Sequence, residues 1–267
     1  MPKLPPWISR LFLVFLIFIS AYLQILSPGK FSTVNDLCQD YLSVSWLKQN
    51  QPAYQLFSHT QCHIKSKLLP SQYNAHPPTS LIFFYPLAFT GLSKATLYWD
   101  ISSVIFYFIS LAVLLIIAKS FSFPSLAIAF SISTLWITTN LNYAVRNLSF
   151  FILLLTSLAI AGFIQKKYYI SGFFIGIAVL VKIWLVIFLF PILFIPRFHK
   201  IIISSTLTIV TGLVLTMGLF GSVNITDYFS KVISYEKIFT NFPNNNSFTS
   251  SVTKVFLGVD PDKYPPL

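Results

Sequence analysis

The chain has 267 residues, a net charge of +11, 55% hydrophobic residues, only 9% charged residues and a mean hydropathy of +0.73. Soluble domains carry about 25% charged residues, so this composition excludes an ordinary soluble domain and predicts a chain whose solvent is lipid. The positive charge does not indicate nucleic-acid binding, because the basic residues lie between apolar runs, where lysine and arginine anchor helices at a membrane surface.

The first apolar run, residues 7–26, is long enough to cross a hydrocarbon core of about 30 Å. It ends in Gln24-Ile25-Leu26, whereas a signal-peptide cleavage site requires small residues. We therefore expect an uncleaved transmembrane helix with a cytoplasmic N-terminus, in a multi-pass protein of the plasma or inner membrane.

A long polar loop, residues 27–78, follows this helix and is expected on the extracytoplasmic side. Cys38 and Cys62 lie in the loop and can pair if that compartment is oxidising. The spacing of His59, Cys62 and His63 matches no strong zinc pattern, so neither a metal nor a cofactor is predicted.

Two of the seven acidic residues of the chain, Asp36 and Asp40, lie one helical turn apart within this loop. Acids that follow a membrane helix are often only solvated, but Asp100 is the only other acid before residue 227. Near-helical spacing predicts a helix that lies on the membrane surface here, with an apolar side formed by Tyr41, Val44 and Leu47 and extended by Trp46.

Six further apolar runs follow the loop, at residues 79–92, 96–118, 124–141, 148–164, 170–195 and 201–221. In one topology the first of them enters the membrane without crossing, and residues 170–195 form two short helices that meet near Lys182. In the other topology each run crosses once. The positive-inside rule favours the first, although both leave the loop and the polar tail, residues 222–267, outside.

Charged residues within apolar sequence usually have a task, and Arg146 and Lys182 are two such residues. A cation at membrane depth can bind a phosphate, and a carboxylate can act as a general base on a hydroxyl. A snorkelling lysine and a helix-end arginine are the structural alternatives. A transporter or flippase is the rival function, but the sequence shows none of the internal symmetry typical of that class.

Short motifs in a fixed order resemble glycosyltransferase family 87. They are Asp36 followed by Gln51-Pro-Ala-Tyr54, the pair Pro77-Pro78 after His76, the glycine-containing run that reaches Lys182, and the Asn-Ser element within residues 243–247. The family usually has Gly-Gln where this chain has Val145-Arg146, and its members are longer, with more membrane helices after the Asn-Ser element.

The resemblance implies an all-α, polytopic membrane bundle of the GT-C type, forming a single domain over residues 1–267. It also implies transfer of a hexose, with mannose expected, from a polyprenyl-phosphate sugar to a lipid- or glycan-borne hydroxyl. The implied roles are general base for Asp36, orientation of that base or binding of the acceptor for Asp40, and donor-phosphate binding for Lys182 and, with less support, Arg146. The implied substrate-binding residues are Tyr54, His76, Asn245, Asn246 and Ser247.

The polar tail is expected to be loosely ordered from Ser222 onward, because it contains no stretch of about 20 apolar residues. By comparison with the longer family members, we expect this chain to be either a fragment or one that needs a partner subunit to supply further helices. Alone it is then expected to be weakly active or inactive, or a non-catalytic relative.

Overall fold

The structure is a computed structural model that describes residues 11, 14–22, 36–57, 73–134, 139 and 146–232. No β-strand occurs among these residues, which confirms the all-α prediction. We label seven of the described helices: α1 Asp36–Lys48, α2 Leu92–Ile117, α3 Phe123–Thr134, α4 Ser149–Ile164, α5 Tyr168–Val181, α6 His199–Phe220 and α7 Ser222–Asp227. Shorter helical turns cover Pro78–Ser80, Leu81–Phe84, Tyr85–Phe89, Ile183–Leu189, Phe190–Leu193, Pro196–Phe198 and Tyr228–Val232.

The helix bounds follow the apolar runs closely, and local chemistry explains where the helices end. Residue Gly91 precedes α2 in an extended conformation, with φ −73° and ψ 153°. Lys119 follows α2 and Lys166 follows α4, both in the left-handed region, with φ 54° and φ 60°. A left-handed residue just past the last turn is a common way to terminate a helix, so the polar joints between runs mark the true ends.

The described residues divide into two compact units. The larger unit comprises those within Met1–Leu37 and Thr90–Val214, and the smaller unit those within Cys38–Phe89 and Leu215–Leu267. The division falls inside α1 and inside α6. The prediction of a single domain stays a prediction, and each unit is described separately below.

Aromatic packing forms one core of the larger unit. The rings of Tyr107 and Phe150 lie 5.0 Å apart, and those of Tyr107 and Phe130 lie 5.8 Å apart. Ile17 and Ala21 from the helical segment 14–22 pack against this cluster. The described part of the first apolar run is therefore helical, as predicted, and it belongs to the helix bundle.

Close contact between α5 and α6 depends on two glycines of α5. A Cβ atom at Gly172 would lie 2.4 Å from the carbonyl oxygen of Ile201, and one at Gly176 would lie 2.7 Å from Cβ of Thr208. Ser205 Oγ donates a hydrogen bond of 2.9 Å to the carbonyl oxygen of Gly172. Small residues and hydroxyl hydrogen bonds at a helix contact are typical of membrane bundles.

We expect Gly172→Ala to lower the stability of the bundle by about 1–3 kcal/mol, because the new methyl group meets backbone that cannot move aside. Gly218→Ala in α6 is the matched control, since no described heavy atom lies within 4 Å of the methyl group it would add. Thermal unfolding in detergent measures both. Equal melting temperatures for the two variants would contradict the close contact.

The outer surface of the longest helices is apolar. Helices α2 and α6 are each long enough to cross a membrane, and only 22% of the most apolar window of each is buried. Leu207 and Val214 of α6 are 65% and 62% exposed. The core helix of a soluble protein is mostly buried, so the exposure of these two apolar helices favours a membrane protein.

The last long apolar stretch before α6 is broken at Lys182. Helix α5 ends at Val181, Lys182 is extended with φ −139° and ψ 104°, and a 3₁₀ segment follows at Ile183–Leu189. Residues 78–89 likewise form three short helical turns rather than one helix. Both features agree with the first of the two predicted topologies, while the number of membrane crossings stays a prediction.

The expectation of loose order from Ser222 onward is wrong for residues 222–232. Helix α7 and the π-helical turn Tyr228–Val232 continue the chain, and the side chains of Asn224, Tyr228 and Val232 are buried. These three residues are spaced by four, so they form one stripe of a helical surface. A stripe of this kind needs no long apolar run, which is why hydrophobicity alone did not reveal it.

Candidate active site

Helix α1 carries the two carboxylates that the sequence singled out. Asp36 lies in its first turn and Lys48 in its last turn, an order of charges that favours the helix dipole. On its buried side the helix presents polar groups as well as Val44, since Asp40 is 1% exposed and Ser43 is fully buried. The predicted helix is present, but the buried side is not purely apolar.

Asp40 forms a buried, hydrogen-bonded pair with His76. Nδ1 of His76 lies 2.9 Å from each carboxylate oxygen of Asp40. An ionised carboxylate only accepts hydrogen bonds, so Nδ1 is the nitrogen that donates. A buried carboxylate is costly unless it is paired, and this pairing explains how the helix accommodates Asp40.

Asn74 joins the two members of this pair through its side-chain amide. Its Nδ2 donates to Oδ1 of Asp40 at 3.0 Å and to Oγ of Ser43 at 3.1 Å, and its Oδ1 accepts from the backbone N–H of His76 at 2.9 Å. Ser43 in turn donates to the carbonyl oxygen of Ala53 at 2.9 Å. The segment that precedes Pro77 is therefore bound to α1 by a connected polar network.

Tyr54 bonds to the same segment. Its hydroxyl donates to the carbonyl oxygen of His76 at 2.8 Å, and its ring lies 5.5 Å from that of Tyr228. Burial, with smaller contributions from Tyr228 and Asp40, raises the pKa of Tyr54 well above its ordinary value. The hydroxyl therefore stays protonated and acts as a donor, so Tyr54 positions His76.

Asn224 of α7 completes the network from the other end of the chain. Its Oδ1 accepts a hydrogen bond of 2.8 Å from the backbone N–H of Ala53, and its Nδ2 donates to the carbonyl oxygen of Phe220. The sequence analysis did not nominate Asn224, because this residue belongs to none of the short motifs that carry the family resemblance. At 4% exposure the side chain is a structural hydrogen-bonding group.

Asp36 lies one helical turn before Asp40 and is half-buried, in contrast to Asp40. Cys38, between them, is fully buried and disulfide-bonded. A disulfide next to the two carboxylates agrees with the prediction that this loop faces an oxidising compartment. The partner cysteine lies outside the described residues, as do the candidate residues Asn245, Asn246 and Ser247 and the histidines His59 and His63.

In the larger unit, Arg146 is paired with Asp100, a partner that the sequence had shown only as an isolated acid. Nε and Nη2 of Arg146 donate to the two carboxylate oxygens of Asp100 at 2.9 and 3.1 Å. The two side chains are 15% and 7% exposed. Trp99 Nε1 also donates to the backbone carbonyl oxygen of Arg146. The backbone of Arg146 is left-handed, with φ 53°. Asp100 therefore offsets the charge of Arg146.

Lys182, also in the larger unit, is half-buried at the break after α5. Its backbone N–H still donates to the carbonyl oxygen of Ala178 at 2.9 Å. Within the described part of the chain, no acceptor is paired with its ammonium group. Of the two predicted phosphate-binding cations, Lys182 is thus the one whose charge the described residues leave unmatched.

Comparison with known proteins supports the family resemblance. A model of glycosyltransferase family 87 matches residues 74–261, which is more than half of the chain. The chain belongs to glycosyltransferase family 87. The match includes His76, Arg146, Lys182 and Asn224, and it begins after Asp36 and Asp40.

No curated protein and no solved structure matches the chain. Membership of family 87 makes the protein a glycosyltransferase, which uses a sugar donor and an acceptor. The family match therefore favours an enzyme over the transporter or flippase considered from the sequence.

Proposed function

We propose that this family 87 member is a polytopic membrane enzyme of the GT-C type. It transfers a hexose, mannose in particular, from a polyprenyl-phosphate sugar to a lipid- or glycan-borne hydroxyl on the extracytoplasmic side. The family match, the lipid-exposed helices and the disulfide at Cys38 support this proposal together. The donor is a lipid phosphate because the cations available for phosphate lie in apolar sequence.

In the proposed reaction Asp36 removes the proton of the acceptor hydroxyl as its oxygen attacks the anomeric carbon. The bond from that carbon to the phosphate oxygen breaks, and polyprenyl phosphate leaves with the bonding electrons. Lys182 neutralises the charge that develops on the phosphate, and Arg146 contributes less because Asp100 already offsets it. Tyr54, His76, Asn245, Asn246 and Ser247 are the proposed substrate-binding residues.

The different environments of the two acids on α1 carry this assignment. Oδ1 of Asp40 accepts from both His76 and Asn74, Oδ2 accepts from His76, and the side chain is buried. A buried carboxylate whose two oxygens both accept hydrogen bonds is suited to holding His76 and Asn74 in position. Asp36, one turn earlier, is half-buried, and it is the acid that the family resemblance nominates, so we assign proton removal to it.

A comparison of sugar donors tests the proposed function directly. Membranes from cells that overproduce the chain should transfer radiolabelled mannose from polyprenyl-phosphate mannose into a lipid or glycan product. Membranes that contain the Asp36→Asn variant are the matched control and should not. Transfer from a nucleotide sugar with none from the lipid donor would overturn the proposed donor class.

The proposed topology predicts which side of the membrane each exposed residue faces. Gln51 lies in the extracytoplasmic loop and Lys200 in the cytoplasmic joint, and both are exposed. We expect Gln51→Cys to react with a membrane-impermeant maleimide in intact cells. Lys200→Cys should react only after permeabilisation, and the unsubstituted chain should not react, because Cys38 is in a disulfide. The reverse pattern would invert the topology.

A further inference from the structure

Three lysines form an exposed basic cluster at one end of the larger unit. Lys166 and Lys167 occupy the joint between α4 and α5, and Lys200 lies in the first turn of α6. All three side chains are exposed, and none of them forms an ion pair with a described residue. The sequence contains no acidic residue between Asp100 and Asp227. The lysine cluster therefore presents positive charge that no neighbouring carboxylate in the sequence offsets.

Aromatic packing brings the two segments of the lysine cluster together. The rings of Phe163 and Phe198 lie 4.9 Å apart, and the ring of Tyr168 lies 5.4 Å from that of Phe198. The ammonium group of Lys200 lies 5.7 Å from the ring centroid of Tyr169, within the range of a cation–π interaction. The joint between α4 and α5 therefore lies beside the start of α6, and the three charges are concentrated at one place on the surface.

Exposed apolar side chains begin within one helical turn of the lysine cluster. Ile170 and Phe173 of α5 are 46% and 47% exposed, and Ile203 and Leu207 of α6 are 58% and 65% exposed. In a membrane protein, a change from exposed charge to exposed apolar side chains marks the layer of lipid headgroups. The lysine cluster therefore lies at the level of the headgroups, and the apolar surface beside it lies at the level of the acyl chains.

The charge of the lysine cluster restricts which headgroup it can retain. A zwitterionic headgroup such as phosphocholine brings its own cation towards the lysines, which cancels much of the attraction to its phosphate. A headgroup with a net negative charge has no such cation. Each lysine near a membrane surface increases the affinity for anionic lipid about fivefold. The lysine cluster therefore favours anionic over zwitterionic phospholipid.

We infer that the lysine cluster is a binding site for an anionic phospholipid, with the phosphate at the lysines and the acyl chains along α5 and α6. The site differs from general anchoring of lysines at a membrane surface, because three cations lie together on one aromatic cluster. It uses none of the residues assigned to sugar transfer and does not depend on that activity. A lipid bound there contacts both the joint between α4 and α5 and the start of α6, so it should stabilise the larger unit.

Photo-crosslinking shows where the lipid binds. The probe is phosphatidylglycerol with a diazirine on an acyl carbon close to the headgroup, added to the full chain in detergent. We expect labelled peptides from the first turns of α5 and α6. Excess unlabelled phosphatidylglycerol should displace the probe, whereas the same excess of phosphatidylcholine should not. Equal displacement by the two lipids would assign these surfaces to bulk lipid and overturn the site.

Two substitutions with the same change of charge test the role of the lysines. Lys200→Gln should weaken labelling by the phosphatidylglycerol probe about fivefold, as expected for the loss of one lysine near the headgroup. Lys94→Gln is the matched control, since Lys94 is an exposed lysine in the first turn of α2 and lies outside the cluster, so its labelling should equal that of the wild type. Lys200→Arg keeps the charge and should keep the labelling. Equal labelling of Lys200→Gln and Lys94→Gln would contradict the proposed site.

Thermal unfolding distinguishes lipid binding from a role of Lys200 in the fold. Phosphatidylglycerol should raise the melting temperature of the wild type and of Lys94→Gln by the same amount. Lys200→Gln should lose most of this increase, while its melting temperature without added lipid stays close to that of the wild type. A lower melting temperature without lipid, together with an unchanged increase on adding lipid, would show that Lys200 only packs against Tyr169 and would overturn its role in lipid binding.

Discussion

Asp36→Asn is expected to lower the rate of sugar transfer at least about a hundredfold while leaving the chain folded. The substitution keeps the size of the side chain and removes its ability to accept a proton. General-base catalysis typically contributes about 10²–10⁴ to the rate, which sets the size of the effect. Initial rates over a range of donor concentrations should show a fall in kcat with little change in KM for the donor.

Two other Asp→Asn substitutions serve as controls for Asp36→Asn. Asp227→Asn removes an acid of the smaller unit that, among the described residues, pairs with the exposed Lys231 one helical turn later, so transfer should remain at the wild-type rate. Asp40→Asn should lower the melting temperature, because His76 and Asn74 lose the carboxylate that accepts from both. Full activity in Asp36→Asn, with a stable but inactive Asp40→Asn, would assign the base to Asp40.

The helices could be predicted because a helix that lies in a lipid bilayer needs a long apolar run with polar residues at its ends. Residues 148–164 and 201–221 were predicted from the sequence, and the structure has α4 at Ser149–Ile164 and α6 at His199–Phe220. The break at Lys182 was also foreseen in one topology, since a lysine between apolar residues is a poor fit to a continuous lipid-facing helix. For these elements the local amino-acid composition determines where a helix begins, ends or breaks.

The polar network was not predictable in the same way. His76 lies 36 residues from Asp40 along the chain, and Asn224 lies 171 residues from Ala53. No periodicity connects such residues, because their contact depends on how the chain folds back. The sequence therefore nominated Asp40, Tyr54 and His76 as separate candidates. In the structure His76 bonds directly to the other two, and Asn74 and Ser43, which no motif had indicated, add further hydrogen bonds.

The pairing of Asp40 also changes how the first loop is interpreted. An acid just beyond a membrane helix usually remains solvated, and the near-helical spacing predicted an apolar buried side for α1. Burial of Asp40 and Ser43 on that side means that the helix is positioned by hydrogen bonds as well as by apolar contact. Directional bonds define the orientation of a helix more narrowly than apolar contact does, which suits a helix that carries the proposed general base.

The ion pair of Asp100 and Arg146 leads to the largest expected change in stability. Asp100→Asn leaves the Arg146 guanidinium without its carboxylate partner, and breaking one side of a buried pair typically costs about 3–5 kcal/mol. Unfolding in mixed detergent micelles with increasing dodecyl sulfate should show this loss. A change below about 1 kcal/mol would mean that the pair behaves like a solvent-exposed one.

Replacing both Asp100 and Arg146 distinguishes a structural role of Arg146 from a role in donor binding. The double variant Asp100→Leu with Arg146→Met removes both charges and keeps apolar volume, a change that is often neutral or stabilising in a buried setting. We expect its stability to return close to wild type and its transfer rate to stay within about tenfold, because Asp100 already offsets the charge of Arg146.

Lys182→Gln, whose cation has no such partner in the described part of the chain, should raise the KM for the lipid donor more strongly. A stable double variant with a larger rise in donor KM than Lys182→Gln would instead assign the phosphate to Arg146, and Asp100 would then be the residue that orients its guanidinium.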